Sequence, residues 1–222
     1  MRTHTKEFQQ NLTPIDAFEV LKEGNKRFTS NLKLNRDLLQ QMDETASGQY
    51  PFAVTLSCMD SRTSIEHIFD QGLGDIFSIR IAGNVVNEDI VGSIEYACKV
   101  AGSKLIVVLG HTKCGAIKGA CDAVEMGNLT GLLEKVRPAL DKTAAAAKET
   151  SKEQYAEIVA QANVLESMRE ILEKSAILRA MYAEGKIGIV GGMYSIENGR
   201  VSFIRQMFAA EAGVPQEEKA IV

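Results

Sequence analysis

Ile76-Phe77-Ser78-Ile79-Arg80-Ile81, then Glu88 to Ala101, then Leu105-Ile106-Val107-Val108-Leu109: this stretch decides the fold. Its first and last parts are short β-branched runs, and their continuous apolarity suits strands covered on both faces. The middle part carries Ile90, Ile94, Ala97 and Ala101 at helical spacing. A strand, a helix of adequate length and another strand make a parallel crossover unit. Upstream, Phe52-Ala53-Val54-Thr55-Leu56 supplies one more buried run. Downstream, Ile187 to Tyr194 and Val201 to Ile204 flank Asn198-Gly199, a strong hairpin signal, so this end reads as an antiparallel edge. The expected fold is α/β: a mostly parallel central sheet of about four strands with an antiparallel edge strand, flanked by helices, plus an N-terminal helical arm.

Outward from this core, Thr13-Pro14-Ile15-Asp16 reads as a helix start, with Thr13 as cap and Pro14 in the first turn. The helix runs to about Ser30 and is amphipathic through Ile15, Phe18, Leu21 and Phe28. Because it precedes the first core strand by so far, residues 1–30 are expected to form an arm and helix that pack on a partner subunit. His4 sits in the polar start of the arm and is expected to be disordered. Pro138 to Glu153 reads as an exposed helix or mobile connection, and Gln154 to Tyr182 as one or two helices packed on the sheet. Residues 1–222 are read as a single domain.

Bulk properties narrow the function. The 222 residues are 45% hydrophobic and 24% charged, ordinary for a soluble globular protein. A formal net charge of -4 disfavours nucleic acid or an anionic membrane as partner. No apolar run reaches the ~20 residues needed to span a bilayer, and the first ten residues lack a signal-peptide core. The expected compartment is the cytoplasm, where the four cysteines stay reduced. Cys98 and Cys121 read as core thiols on helices. His67 reads as a packed or surface histidine.

Cys58 and Cys114 differ, because each has ligand-type neighbours. Cys58-Met59-Asp60-Ser61-Arg62 follows one strand, and His111-Thr112-Lys113-Cys114-Gly115 follows another. In open α/β sheets ligands bind at the carboxyl ends of strands, where connections diverge. Two thiolates, one imidazole and one carboxylate make the donor set of a tetrahedral zinc site, and the carboxylate is the member able to leave.

These motifs resemble those of the β-class carbonic anhydrases, whose signature is Cys-x-Asp-Ser-Arg after the first strand and His-x-x-Cys-Gly after a later one. The likeness extends through Ile79 to Asn84, Ser93 to Ala97 and Gly191 to Tyr194, and covers roughly Pro14 to Phe203. It implies Zn2+ held by Cys58, His111 and Cys114, with water in the fourth position, or with Asp60 there in a closed state. It implies reversible hydration of carbon dioxide to bicarbonate and a proton, with Asp60 and Arg62 as a catalytic dyad that orients the nucleophile. Gln49 and Gly115 match substrate-binding positions, and Phe77, Ala82 and Tyr96 match a small apolar pocket. The resemblance also implies a homodimer or homotetramer, with Phe77 and Gln49 facing another subunit's zinc.

One position departs from part of the family. Some bacterial members bind bicarbonate at a second site of tryptophan, arginine and tyrosine. Here Arg80 and Tyr194 match, but Thr55 stands at the tryptophan position and the chain has no tryptophan. The plant-like arrangement, with zinc open to water, is expected. The nearest alternative is a hydrolase of carbonyl sulfide or carbon disulfide on the same metal set. A non-catalytic zinc or bicarbonate-binding protein has no need of the dyad.

Overall fold

A computed structural model describes residues 2–209. The chain begins with α1 (Lys6–Asn11), α2 (Pro14–Thr29) and α3 (Leu38–Thr45). Then come β1 (Ala53–Ser57), α4 (Ile65–Ile68), β2 (Ile76–Arg80), α5 (Glu88–Glu95) and β3 (Leu105–His111). Helices α6 (Gly115–Cys121), α7 (Gly127–Leu133), α8 (Arg137–Thr143), α9 (Lys152–Lys174) and α10 (Ala176–Ala183) lead to β4 (Gly188–Tyr194) and β5 (Val201–Met207). The strands form one sheet in the order β2-β1-β3-β4-β5, parallel except for β5. Four parallel strands and an antiparallel edge agree with the reading of the sequence. Among the described residues no helix is long and apolar enough to cross a membrane.

Successive side chains on a strand point to opposite faces, and the two cores follow that period of two. Val54, Leu56, Ile106, Val108 and Ile189 face one core, together with Ile94, Ile117, Val164 and Met168. Ala53, Leu105, Val107, Leu109 and Val190 face the other, against Phe18, Leu21, Ile65 and Phe69. Helix α9 lies close on the first face because β4 carries no side chain at one point of contact. A Cβ on Gly191 would stand 2.5 Å from the Met168 sulfur and 2.8 Å from Val164.

The N-terminal region departs from expectation in its arm. Helix α2 starts as its sequence predicts, with Thr13 and Asp16 closing a reciprocal capping box. Its apolar face is buried on its own chain's sheet through Ala17, Phe18 and Leu21, while Ile15 remains exposed. Gly24 permits the fit, since a Cβ there would lie 1.8 Å from the Phe69 carbonyl oxygen. Asn25 locks the helix down: its amide donates to the carbonyls of Ile68 and Gly199 and accepts the Val201 N–H.

The departure is the arm, which is ordered. His4 stacks on Phe8 at 4.0 Å, edges against Phe52, and lies 3.7 Å from the buried Asp75 carboxylate. Gln9 of α1 is buried and donates to the carbonyls of Pro51 and Ala101. A polar composition at the start of the arm conceals these contacts, because apart from Phe8 each partner lies more than 40 residues away.

Between β1 and β2, buried Asp70 receives Arg27 Nε at 2.5 Å and Arg36 Nη1 at 2.5 Å. Burial alone would raise its carboxyl, but the hydrogen bonds from the two guanidiniums outweigh that and hold it below its usual value. The stretch from Pro138 to Glu153 contains the expected helix, α8, which tucks Ala139 into the core.

Candidate metal centre

β1 and β3 are adjacent and parallel, with Ser57 level with Leu109. Their carboxyl ends therefore deliver Cys58 and His111 side by side, and the turn to α6 brings Cys114 back beside them. The two sulfurs and a ring nitrogen lie within 4.8 Å of one another, and all three residues are buried. Cys58 Sγ and Cys114 Sγ are 3.9 Å apart. Two sulfurs at about 2.3 Å from a tetrahedral ion would be about 3.8 Å apart, so the spacing fits zinc.

The histidine supplies a second test of fit. His111 Nδ1 lies 2.9 Å from the Thr112 carbonyl, which fixes the proton on that nitrogen. Nε2 is then the lone-pair nitrogen, and it is buried without a hydrogen-bond partner. A buried imidazole nitrogen left bare beside two thiols is the donor that a metal ion completes.

Protonation of the cluster points the same way. The hydrogen bond from Cys114 draws the Cys58 thiol down to about 4, against the opposing effect of burial. Cys114 is pushed up, first by that bond and then by burial. One sulfur of so close a pair donates to the other, and a cation bound by both would take that proton's place. For His111, burial lowers the pKa, but the contacts with Cys58 outweigh it and the net direction is upward. Cys98 is an inert core thiol, raised to about 12 by burial, and Cys121 is half-buried at the end of α6.

Asp60 stands at the open side of the cluster, engaged by Arg62. Arg62 Nε donates to Oδ1 at 2.9 Å, Nη2 donates to Oδ2 at 2.7 Å, and the Arg62 backbone N–H adds a bond to Oδ1 at 3.0 Å. These bonds hold the carboxyl well below the usual carboxylate range. Asp60 Oδ2 still lies only 3.9 Å from His111 Nε2. The loop carrying both residues is fixed from behind: the Thr63 hydroxyl is 2.9 Å from the Cys58 carbonyl and 2.8 Å from that of Asp60. Arg80 Nη2 donates to the Asp60 carbonyl at 2.6 Å. Arg80 therefore serves the loop, and Thr55, at the missing tryptophan's place, is a buried strand residue whose hydroxyl donates to the Phe77 carbonyl.

Of the remaining expected residues, Ala82 and Gly115 belong to the same end of the sheet. Gly115 is the first residue of α6, and nothing lies within 4 Å of where its Cβ would be. Gln49, Phe77 and Tyr96 are not brought to this cluster. Gln49 precedes β1, at the opposite end of the sheet. Phe77 is level with Val54, four residues before Cys58. Its ring lies 6.3 Å from that of Tyr96, which is 57% exposed. The two line an open hollow of about 540 Å³ along the outer edge of β2. Tyr96 also opens a π turn, Tyr96–Val100, at the end of α5.

Reading the sequence alone missed Thr63, Gly83 and Asn163. Thr63 directly follows one quoted motif and Gly83 lies within another, but neither residue type reads as a metal ligand. Asn163 had a visible signal, a polar residue on the buried face of a helix between Val159, Ala160 and Val164.

Sheet order and donor set define an α/β protein with a Cys-His-Cys centre at the carboxyl edge of a parallel sheet. Residues 53–201 match the family model described as Carbonic anhydrase. The chain is 37% identical over 195 residues to carbonic anhydrase 2 of Mycobacterium tuberculosis, covering 86% of this chain and 92% of that one. A tetrameric β-carbonic anhydrase of Sordaria macrospora superposes with a TM-score of 0.69 at 27% identity, over 73% of this chain and 85% of that one. A β-carbonic anhydrase of Aspergillus fumigatus does so with a TM-score of 0.68 at 28% identity, over 88% and 93%. The chain belongs to the carbonic anhydrase family, in its β class, and is an enzyme of that kind.

Proposed function

We propose that the chain hydrates carbon dioxide reversibly to bicarbonate and a proton, with zinc held by Cys58, His111 and Cys114. The observation that carries this reading is the convergence of three donor atoms beside a carboxylate already engaged by arginine. Zinc, when bound, supplies a Lewis acid that makes water a nucleophile near neutral pH.

The protein's own groups do the rest. Asp60 stays ionised because Arg62 holds it, so it accepts a hydrogen bond from the attacking oxygen and turns its lone pair toward the substrate carbon. Arg62 engages both oxygens of that carboxylate, so a metal held by Cys58, His111 and Cys114 would keep a site open to solvent. Gly115, the first residue of α6, offers a backbone N–H to bicarbonate. Two thiolate donors offset more of the metal's charge than two neutral imidazoles would. Activity therefore rises toward alkaline pH.

The Phe77–Tyr96 hollow and Gln49 are assigned to a neighbouring subunit's site in a homo-oligomer. Their distance from the chain's own cluster supports this, as does the tetrameric state of the Sordaria relative.

The test measures metal content and carbon dioxide hydration together. One zinc per chain is expected, with activity lost on chelation and restored by zinc. Full activity in metal-free protein overturns the reading, and faster turnover of carbonyl sulfide or carbon disulfide than of carbon dioxide overturns the substrate.

A further inference from the structure

One sulfur of the cluster receives a backbone hydrogen bond that a distant helix sets in place. The Gly83 N–H donates to Cys58 Sγ at 3.4 Å. Gly83 lies in a tight turn, Ala82–Asn84, with φ of 68° there and 44° at Asn84, both in the left-handed region. A turn of that kind holds its shape only when its surroundings fix it.

Helix α9 does the fixing. The Asn163 side-chain amide donates to the Gly83 carbonyl at 2.8 Å, and one helical turn later Ser167 Oγ donates to the Asn84 carbonyl at 3.1 Å. Both side chains are 3% exposed, in a helix face otherwise formed by Val159, Ala160, Val164 and Met168. Two consecutive carbonyls are thus held by two polar groups on one face of one helix. Burying those groups in an apolar face serves packing poorly, since each must be satisfied to avoid a desolvation cost. What the pair achieves is orientation: with both carbonyls pinned, the Gly83 N–H remains aimed at sulfur.

We infer that Asn163, seconded by Ser167, is a positioning residue for the metal centre: it holds the Gly83 N–H on Cys58 and so sets how much charge that thiolate gives the metal. The inference rests on the zinc reading above. A hydrogen bond to a ligating sulfur draws electron density away from the metal, and partners behind the ligands govern affinity and reactivity in this way. With two thiolates in the set, a device that restrains their donation keeps the metal a useful Lewis acid.

The test replaces zinc with cobalt and reads the thiolate-to-cobalt charge-transfer band in the near ultraviolet, alongside zinc affinity by competition with a chromophoric chelator. In Asn163→Leu the band is expected to move to longer wavelength as Cys58 donates more strongly, and zinc affinity to fall by about 10-fold because the thiolate loses the N–H that orients and stabilises it. Val164→Ala, on the same helix but touching neither carbonyl, is expected to lower Tm while leaving the band where it is. Ser167→Ala is expected to shift the band less, in the same direction, and it decides the matter if Asn163→Leu does not fold. An unmoved band and affinity in the folded Asn163 or Ser167 variants overturns the inference, as does an equal shift in Val164→Ala. If wild-type protein shows no thiolate–cobalt band, the metal reading itself fails; a wild-type band with unmoved variants removes the inference alone.

Discussion

Removing the Arg62 side chain isolates what the arginine does from what the carboxylate does. In Arg62→Ala, Asp60 loses its two side-chain bonds, at 2.9 and 2.7 Å, and keeps the backbone bond to Oδ1. Its carboxyl returns from well below the usual range toward the ordinary value of about 3.9. At pH 8 it remains ionised either way, so any loss there comes from position and not from protonation. Oδ2 starts 3.9 Å from His111 Nε2, and a shift of about 1 Å is enough to lose alignment with the nucleophile. Misplacement on that scale costs about 100-fold in rate. Stopped-flow hydration of carbon dioxide at pH 8 should show kcat/KM down by about that factor, with zinc content unchanged. Arg62→Lys, which keeps the charge but not the planar fork, should fall between. Activity in Arg62→Ala within twofold of wild type would refute the positioning role.

Cys58→Ser and His111→Ala should each purify with little zinc and no measurable hydration; atomic absorption showing full zinc content in both would contradict the ligand assignment. Asp70→Asn should cost about 3 kcal/mol, because it leaves Arg27 and the buried Arg36 facing a neutral group, and should lower Tm by about 6–12 °C in calorimetry. The Asp70 carboxyl is depressed in the folded state, so its contribution is present at neutral pH and lost as pH falls below about 4 through the folded value. Wild type should thus lose its advantage over Asp70→Asn in acid, and a constant gap from pH 7 to pH 3 would count against the pairing. Gly24→Ala places a Cβ 1.8 Å from a backbone oxygen and should cost about 3 kcal/mol or more; an unchanged urea midpoint would show that α2 is not seated there.

What was legible in the sequence was local. β1 and β3 announced themselves as continuous apolar runs and are buried throughout, whereas β2, expected to be covered on both faces, is an edge strand with alternating exposure. Cys58, Asp60, His111 and Cys114 are spaced so tightly after strands that one crevice could gather them. The seat of α2 was not legible, because Ala17, Phe18 and Leu21 define an apolar face without saying whose core it meets. His4 and Gln9 look solvated until Phe52, Pro51 and Asp75 fold back on them. Asp60 could be read as a ligand or as Arg62's partner, and only geometry separates the two. Asn163 escaped notice because its target is a backbone carbonyl 80 residues away. Residues 210–222 lie outside the described residues.

Asn25 joins α2 to Gly199 and Val201 across more than 170 residues. During synthesis α2 emerges more than 170 residues before the hairpin that it binds. Phe18 packs its ring at 4.7 Å on Phe203, so one of its final neighbours is also a late arrival. The nascent chain therefore carries part of the Phe18 face uncovered until β5 is made, and closure of this layer waits for long-range contacts that form slowly. Truncations before β5 should be chaperone clients even with every metal ligand already made.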